Sequence, residues 1–557
     1  MRWHPYTFYD NFRMKLFILR SFSMKIKPGN RYLVFLAIIG IILYLSVAFI
    51  PPADEIDDEA YMYENSPLLS KKEAADKAVI FLNDKQMFLE NPVTYTVYQS
   101  ESNLSGYIQK ENLTGSYEDF KEKFPLEYYL IQVIDGADGR QFEVKVDFQT
   151  GAVVGWYSKP DQLDPPTEDQ AETIGRKAIQ DMGWPQEQFK LTGLSTPEAD
   201  LVFEQQQPSI GGAHLRIQVQ LDHNMIAGVS PDFAIPDSFI KWMDSQTDTA
   251  GTMTLISMLL NIGMTISAVI YVILKRRQIA FHRGVLLCTV YLVLYSLNNV
   301  NLYPTYKVYK GHFAAGWESM FSVLLMNMLI IVIAVFLYFL LLAGNQMWQE
   351  QGWRPIPRWK DRNFGNEVLS GMGRGYLLCL FLMGLQQLLF FIADKNFHVW
   401  SVSDPGDSPL NMLNPGIYPL MAWVAAISEE ATFRLFGIIL FKKLFRNNFI
   451  AILVPSIIWA AGHTQYPVFP VYTRLIEVTI LGIVFGYAFL KFGFFTALFA
   501  HAAMDSTLMG LYLMTVGNDA SLFGGIFYMI LPALVAGVLW LFHKWLLKGI
   551  RFAVFRR

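Results

Sequence analysis

Only two cysteines, Cys288 and Cys379, occur in 557 residues, and both lie within apolar runs. The polar part of the chain therefore has no disulfide framework, and no CxxC or mixed Cys/His spacing offers a zinc site. An HExxH pair is absent as well, which removes the helix-borne zinc hydrolase pattern. A cysteine-free polar region fits the envelope of a bacterium whose exported domains carry few disulfides. Charge is scarce too. Asp, Glu, Lys and Arg make up 17% of the chain against 53% apolar and 15% aromatic residues, a composition too greasy for one soluble domain of this length. The net charge of −3 names no polyanionic partner, and no basic tract interleaved with aromatics reads as a nucleic-acid surface.

What the chain does have is a series of apolar runs, each about 20 residues long, separated by short charged clusters. They cover residues 33–50, 250–274, 284–303, 319–343, 376–393, 417–441, 449–462, 475–490, 494–514 and 523–542. The expected fold is a polytopic all-α membrane protein of about ten transmembrane helices, with an α+β extracytoplasmic domain inserted after the first. Residues 1–32 form a basic N-terminus, with Arg2, Arg13, Lys15, Arg20, Lys25, Lys27 and Arg31 against Asp10. They orient span 33–50 as an anchor with its start in the cytoplasm, and the Ile50-Pro51-Pro52 exit carries no small-x-small cleavage site. Basic clusters at Lys275-Arg276-Arg277, at Lys442, Lys443 and Arg446, and in the tail 544–557 thread the other spans. Both termini then fall in the cytoplasm and residues 52–249 outside a bacterial cell membrane.

Residues 52–249 read as two similar units. Ser70-Lys-Lys-Glu73 and Thr167-Glu-Asp-Gln170 are capping boxes that open amphipathic helices over 73–82 and 170–182. Strand-like alternation follows each, at Phe142, Val144 and Val146 in the first unit and at Leu215, Ile217, Val219 and Leu221 in the second. With its Asp147-Phe-Gln-Thr-Gly151 turn, the unit resembles the PepSY domain of exported bacterial proteins.

The densest anomaly is Ser428-Glu429-Glu430-Ala431-Thr432-Phe433-Arg434, set inside an apolar run. Each ionised side chain at mid-membrane costs roughly 2.5–3.5 kcal/mol, so three together need partners or a chemical purpose. On a helix Glu430 and Arg434 share a face and can pair, while Glu429 is turned about 100° away. One carboxylate is thus left free to take a proton from water, the task of a general base. An ion-pair knot that glues helices is the alternative reading of the trio alone. Downstream, His463 ends one apolar run, and His501 lies within another with Asp505 one turn later.

Together these residues resemble the CAAX prenyl protease and bacteriocin-processing (CPBP, or ABI) family of intramembrane glutamate proteases. Its Glu-Glu-x-x-x-Arg motif is matched by Glu429, Glu430 and Arg434; its Phe-x-x-x-His motif by Trp459 to His463, with Trp replacing Phe; and its His-x-x-x-Asn/Asp motif by His501 to Asp505. The resemblance covers roughly 411–543, which would be the protease domain, with 250–410 supplying helices two to five.

The resemblance implies that Glu429 and His463 activate a water, and that His501 and Asp505 hold the oxyanion. An ionised Asp505 cannot donate to an oxyanion and can instead orient His501. Glu430 and Arg434 would fix the motif helix, and Trp459 would supply an apolar wall. Because the motif residues fall at different depths of their spans, at least one helix should be broken, tilted or differently bounded. The implied activity is an intramembrane endopeptidase acting on a peptide or membrane-protein substrate in the lipid bilayer, with no cofactor. Two alternatives are a zinc-dependent protease using His463, His501 and a carboxylate, and a non-catalytic sensor or scaffold whose outer domain binds a ligand. The natural substrate and the oligomeric state are not legible in the sequence.

Overall fold

Alternating strands in the polar region build one antiparallel sheet, and the apolar runs build a helical bundle against it. The computed structural model describes residues 28–49, 67–159, 168–195, 200–222, 225–309, 312–313, 316–515 and 519–554. The basic residues up to Lys27, the anchor exit at Ile50, Thr167 of the second capping box, His223 and Asn224, and the terminal Arg556 and Arg557 lie outside them.

The first apolar run is helix α1 (Pro28–Ala48), and α2 (Lys71–Asp84) opens the polar region. Ser70 and Glu73 cap α2 reciprocally: the Glu73 amide donates to Ser70 Oγ at 3.2 Å and the Ser70 amide to Glu73 Oε2 at 2.8 Å. Four strands follow, β1 (Val93–Ser100), β2 (Glu127–Ile134), β3 (Gln141–Val146) and β4 (Val153–Ser158), with α3 (Ser102–Lys110) between the first two. A second helix, α4 (Glu168–Asp181), precedes β5 (Phe189–Ser195), β6 (Asp200–Gln205), β7 (His214–Asp222) and β8 (Met225–Ala234). The sheet order is β1-β2-β3-β4-β8-β7-β6-β5, so two helix-plus-four-strand halves join through their last strands, with Trp156 opposite Val229. Along β7, Leu215, Ile217, Val219 and Leu221 are buried while the residues between them are half-exposed, as one covered face requires.

Among the described residues six helices are long and apolar enough to cross a membrane: Asn30–Ala48, Asp237–Leu274, Gly316–Glu350, Phe364–Phe397, Val471–Phe492 and Ser521–Leu547. Two apolar helices are shorter, Val285–Asn301 and Asn448–Ala461. In chain order these elements are α5 (Asp237–Leu274), α6 (Val285–Asn301), α7 (Gly316–Glu350), α8 (Phe364–Phe397), α9 (Met421–Glu429), α10 (Ile438–Phe445), α11 (Asn448–Ala461), α12 (Val471–Phe492), α13 (Phe494–Thr515) and α14 (Asp519–Val554).

The border expected at residue 249 falls inside α5, which begins at Asp237 and runs unbroken for 38 residues. At 1.5 Å per residue it is about 57 Å long, well beyond the roughly 30 Å of a hydrocarbon core. Its first turns belong to the sheet side. Phe239 packs 5.3 Å from Tyr107, and Trp242 lies 6.0 Å from Trp400 and 6.3 Å from Phe469. Trp400 and Phe469 come from loops of the bundle and pair as a two-residue ribbon, Trp400–Ser401 against Val468–Phe469. A second tie closes the β1 edge. Asn411 accepts from the Tyr98 amide at 2.7 Å and donates to the Tyr98 carbonyl at 2.8 Å, copying the bonds a neighbouring strand would make.

Candidate active site

Three segments carry the polar side chains of the site. The first starts as α9, but from Glu430 to Gly437 the backbone widens into a π-helix before returning to α10. A π turn inserted in an α-helix redirects successive side chains. At this junction adjacent carboxylates serve different partners: Glu429 faces His463 and His501 Nε2, while Glu430 meets His501 Nδ1 and Arg434.

The second segment is α11, opened by Asn447, whose side chain accepts from the amides of Phe449 at 2.8 Å and Ile450 at 3.2 Å. Trp459 lies in its last turn and His463 just beyond its end. The His463 ring stays tied to the helix, with Nδ1 2.8 Å from the Trp459 carbonyl. A carbonyl only accepts, so Nδ1 donates and Nε2 is left facing Glu429. The third segment is α13, which is buried around His501 and presents Asp505 one turn later.

The structure brings Glu429, His463, His501 and Asp505 together. Glu429 Oε1 is 3.8 Å from His463 Nε2, and Oε2 is 3.7 Å from His501 Nε2, too long for direct hydrogen bonds. The same His501 nitrogen is 3.3 Å from Asp505 Oδ2, and Nδ1 is 2.8 Å from Glu430 Oε1. Glu429, His463 and Asp505 keep 20–22% of their side-chain surface open, whereas Glu430 has none and His501 only 6%. One end of the cluster is thus accessible and the other is sealed.

The sealed end holds Arg434, 3.2 Å from Glu430 Oε1 and buried. Its guanidinium lies 4.1 Å from the Trp459 ring centre and 5.0 Å from that of Phe485, so two aromatic faces share its charge with the carboxylate. Phe485, from α12, also packs 5.1 Å from the His501 ring, and Tyr466 stacks 5.8 Å from His463. Neither was singled out by the sequence, because nothing distinguishes one phenylalanine from the other 42 except the fold. Trp459 departs from the apolar wall expected of it. Its indole Nε1 donates a hydrogen bond to Glu429 Oε2, since a buried indole N–H needs an acceptor and the nearest is the motif carboxylate.

Glu477, the other buried acid of the bundle, stands apart. It pairs with Arg474 at 2.6 Å and accepts from Gln386 of α8 at 2.9 Å, which makes it a helix-packing residue. Asn299 and Asn301 likewise bond to the Val323 and Asn414 carbonyls, joining α6 to its neighbours.

Residues 412–507 match the family model for type II CAAX prenyl endopeptidases, Rce1-like. A curated relative, the sporulation-killing factor biosynthesis protein SkfC of Bacillus subtilis (strain 168), is 27% identical over 168 residues, covering 29% of this chain and 31% of its own length. No solved structure matches the chain.

Proposed function

We propose, from the premise that residues 412–507 form an Rce1-like CPBP domain within a multi-pass membrane protein, that the chain is an intramembrane endopeptidase of the glutamate type, with no metal in the reaction. The observation that carries it is the Glu429 carboxylate held between two imidazoles at 3.8 and 3.7 Å, at the accessible end of an otherwise buried cluster.

In this reading a water sits beside the gap between Glu429 Oε1 and His463 Nε2, bonded to both. As its oxygen attacks the scissile carbonyl, the carboxylate and imidazole take up its proton and later return it to the leaving amine. His501 faces the developing oxyanion with Nε2, aligned by Asp505 on that side and by Glu430 on the other. Arg434 keeps Glu430 in place. The cleaved segment is a peptide presented at the bilayer.

The zinc reading would take His501 through Nε2, with Nδ1–H donated to Glu430; that same Nε2 edge already faces Asp505 at 3.3 Å, and our reading gives it to the oxyanion instead.

The test is cleavage of two fluorogenic probes, a farnesylated CAAX peptide and an unprenylated peptide pool, by the purified full chain. Glu429→Gln should lower turnover roughly 10²–10⁴-fold while the protein still inserts. Strong chelators should leave the wild type unchanged. A Glu429→Gln protein as active as the wild type would end the proposal, and activity lost to chelators and restored by zinc would favour the metal reading.

A further inference from the structure

Trp459 touches both members of the water-activating pair. Its backbone carbonyl accepts from His463 Nδ1 at 2.8 Å, and its indole N–H donates to Glu429 Oε2. The indole has little freedom to leave. Arg434 lies over its face at 4.1 Å, Phe485 meets its edge at 6.1 Å and 90°, and the ring is buried. On the α12 side Gly482 makes room for it, since a Cβ there would stand 3.0 Å from Trp459 Cε3.

A carboxylate with two equivalent oxygens can rotate, and a base that rotates spends part of its time misaligned. The indole bond removes that freedom. With Oε2 committed to Trp459, Oε1 is the oxygen that faces His463 Nε2. The cation on the ring face draws electron density from the indole and strengthens its N–H as a donor. We infer that Trp459 is a positioning residue: its indole N–H fixes Glu429 so that a single oxygen, Oε1, works with His463 on the water. A phenylalanine at this position would keep the ring but supply no donor. The inference rests on the reading of Glu429 as base, and its test separates the two.

The experiment uses the full chain in lipid nanodiscs with 15N-labelled tryptophan. Replacing Trp459 by 3-benzothienylalanine, which exchanges the ring N–H for sulfur at nearly the same size, deletes one indole signal and so assigns it. That signal should lie downfield of the other twelve indoles and move on Glu429→Gln, while the others stay in place. In the cleavage assay the benzothienyl variant and Trp459→Phe should both lose roughly 10- to 100-fold in kcat with KM unchanged. If Trp459→Phe fails to fold, the benzothienyl variant carries the same comparison.

A Trp459 indole signal that ignores Glu429→Gln overturns the contact. A benzothienyl variant with wild-type kcat, in a protein that Glu429→Gln inactivates, overturns the positioning role and leaves the base in place. Were the bond only a means of satisfying a buried donor, stability would fall and kcat would not. Full activity of Glu429→Gln removes the base itself, and with it the role of Trp459.

Discussion

At the scale of single residues, the site depends on which charges are left alone and which are met. Glu430 and Arg434 are both sealed from solvent, so each exists there because of the other and of His501. Arg434→Met keeps the length and apolar stem of the side chain but removes the cation from a buried carboxylate, leaving it the His501 contact. It should destabilise the protein by about 3–5 kcal/mol, read as a fall in the denaturation midpoint in detergent. Adding Glu430→Gln to that variant should recover part of the loss; a double variant no better than the single one would mean that the pair is not coupled. The four polar side chains that meet at the site could be picked out of the sequence because ionisable groups in apolar runs are costly and therefore conspicuous. The indole donor of Trp459 could not. Tryptophan reads as bulk in a sequence, and whether its one N–H finds a carboxylate depends on the angle between two helices.

At the scale of elements, the apolar runs marked where helices lie but not how long or how regular they are. The run at 376–393 is the middle of α8, which extends from Phe364 to Phe397, because its flanking polar residues continue the helix beyond the greasy part. The π stretch of Glu430–Gly437 was not legible in the sequence, since one extra residue in a turn has no compositional mark. Close packing between helices was hidden for a related reason, as a glycine in an apolar run signals a contact only once its partner is known. Gly40 of α1 and Gly384 of α8 meet backbone to backbone, and a Cβ on Gly384 would stand 1.9 Å from the Gly40 carbonyl oxygen. Gly384→Leu should therefore push α1 off the bundle and lower the denaturation midpoint. Gly537→Leu, which meets open space, should leave the midpoint level or raise it. Equal behaviour of the two would argue against the crossing.

At the scale of the whole molecule, a domain of sheet and a bundle of helices are legible from the sequence, because alternation and long apolar runs have distinct periods. Their joinery is not, since it is made by residues far apart in the chain. Asn411 reaches the β1 edge across more than 300 positions, and the Trp400–Ser401 and Val468–Phe469 ribbon, five residues beyond His463, packs among Phe239 and Trp242. Asn411→Ala should cost about 1–3 kcal/mol by removing the side chain that bonds both the Tyr98 amide and its carbonyl, the carbonyl keeping its bond from Gln99 Nε2 at 2.8 Å. The expected signature is faster hydrogen exchange along β1, greatest at Tyr98, with exchange in the bundle unchanged; protection that does not change would show that the edge is held by something else. The continuity of α5 has a mechanical consequence. Between Asp237 and Leu274 no proline interrupts the rod, so there is no elbow at which the sheet can swivel over the bilayer, and any torque applied to one part is delivered to the other as rotation of a single stiff spar.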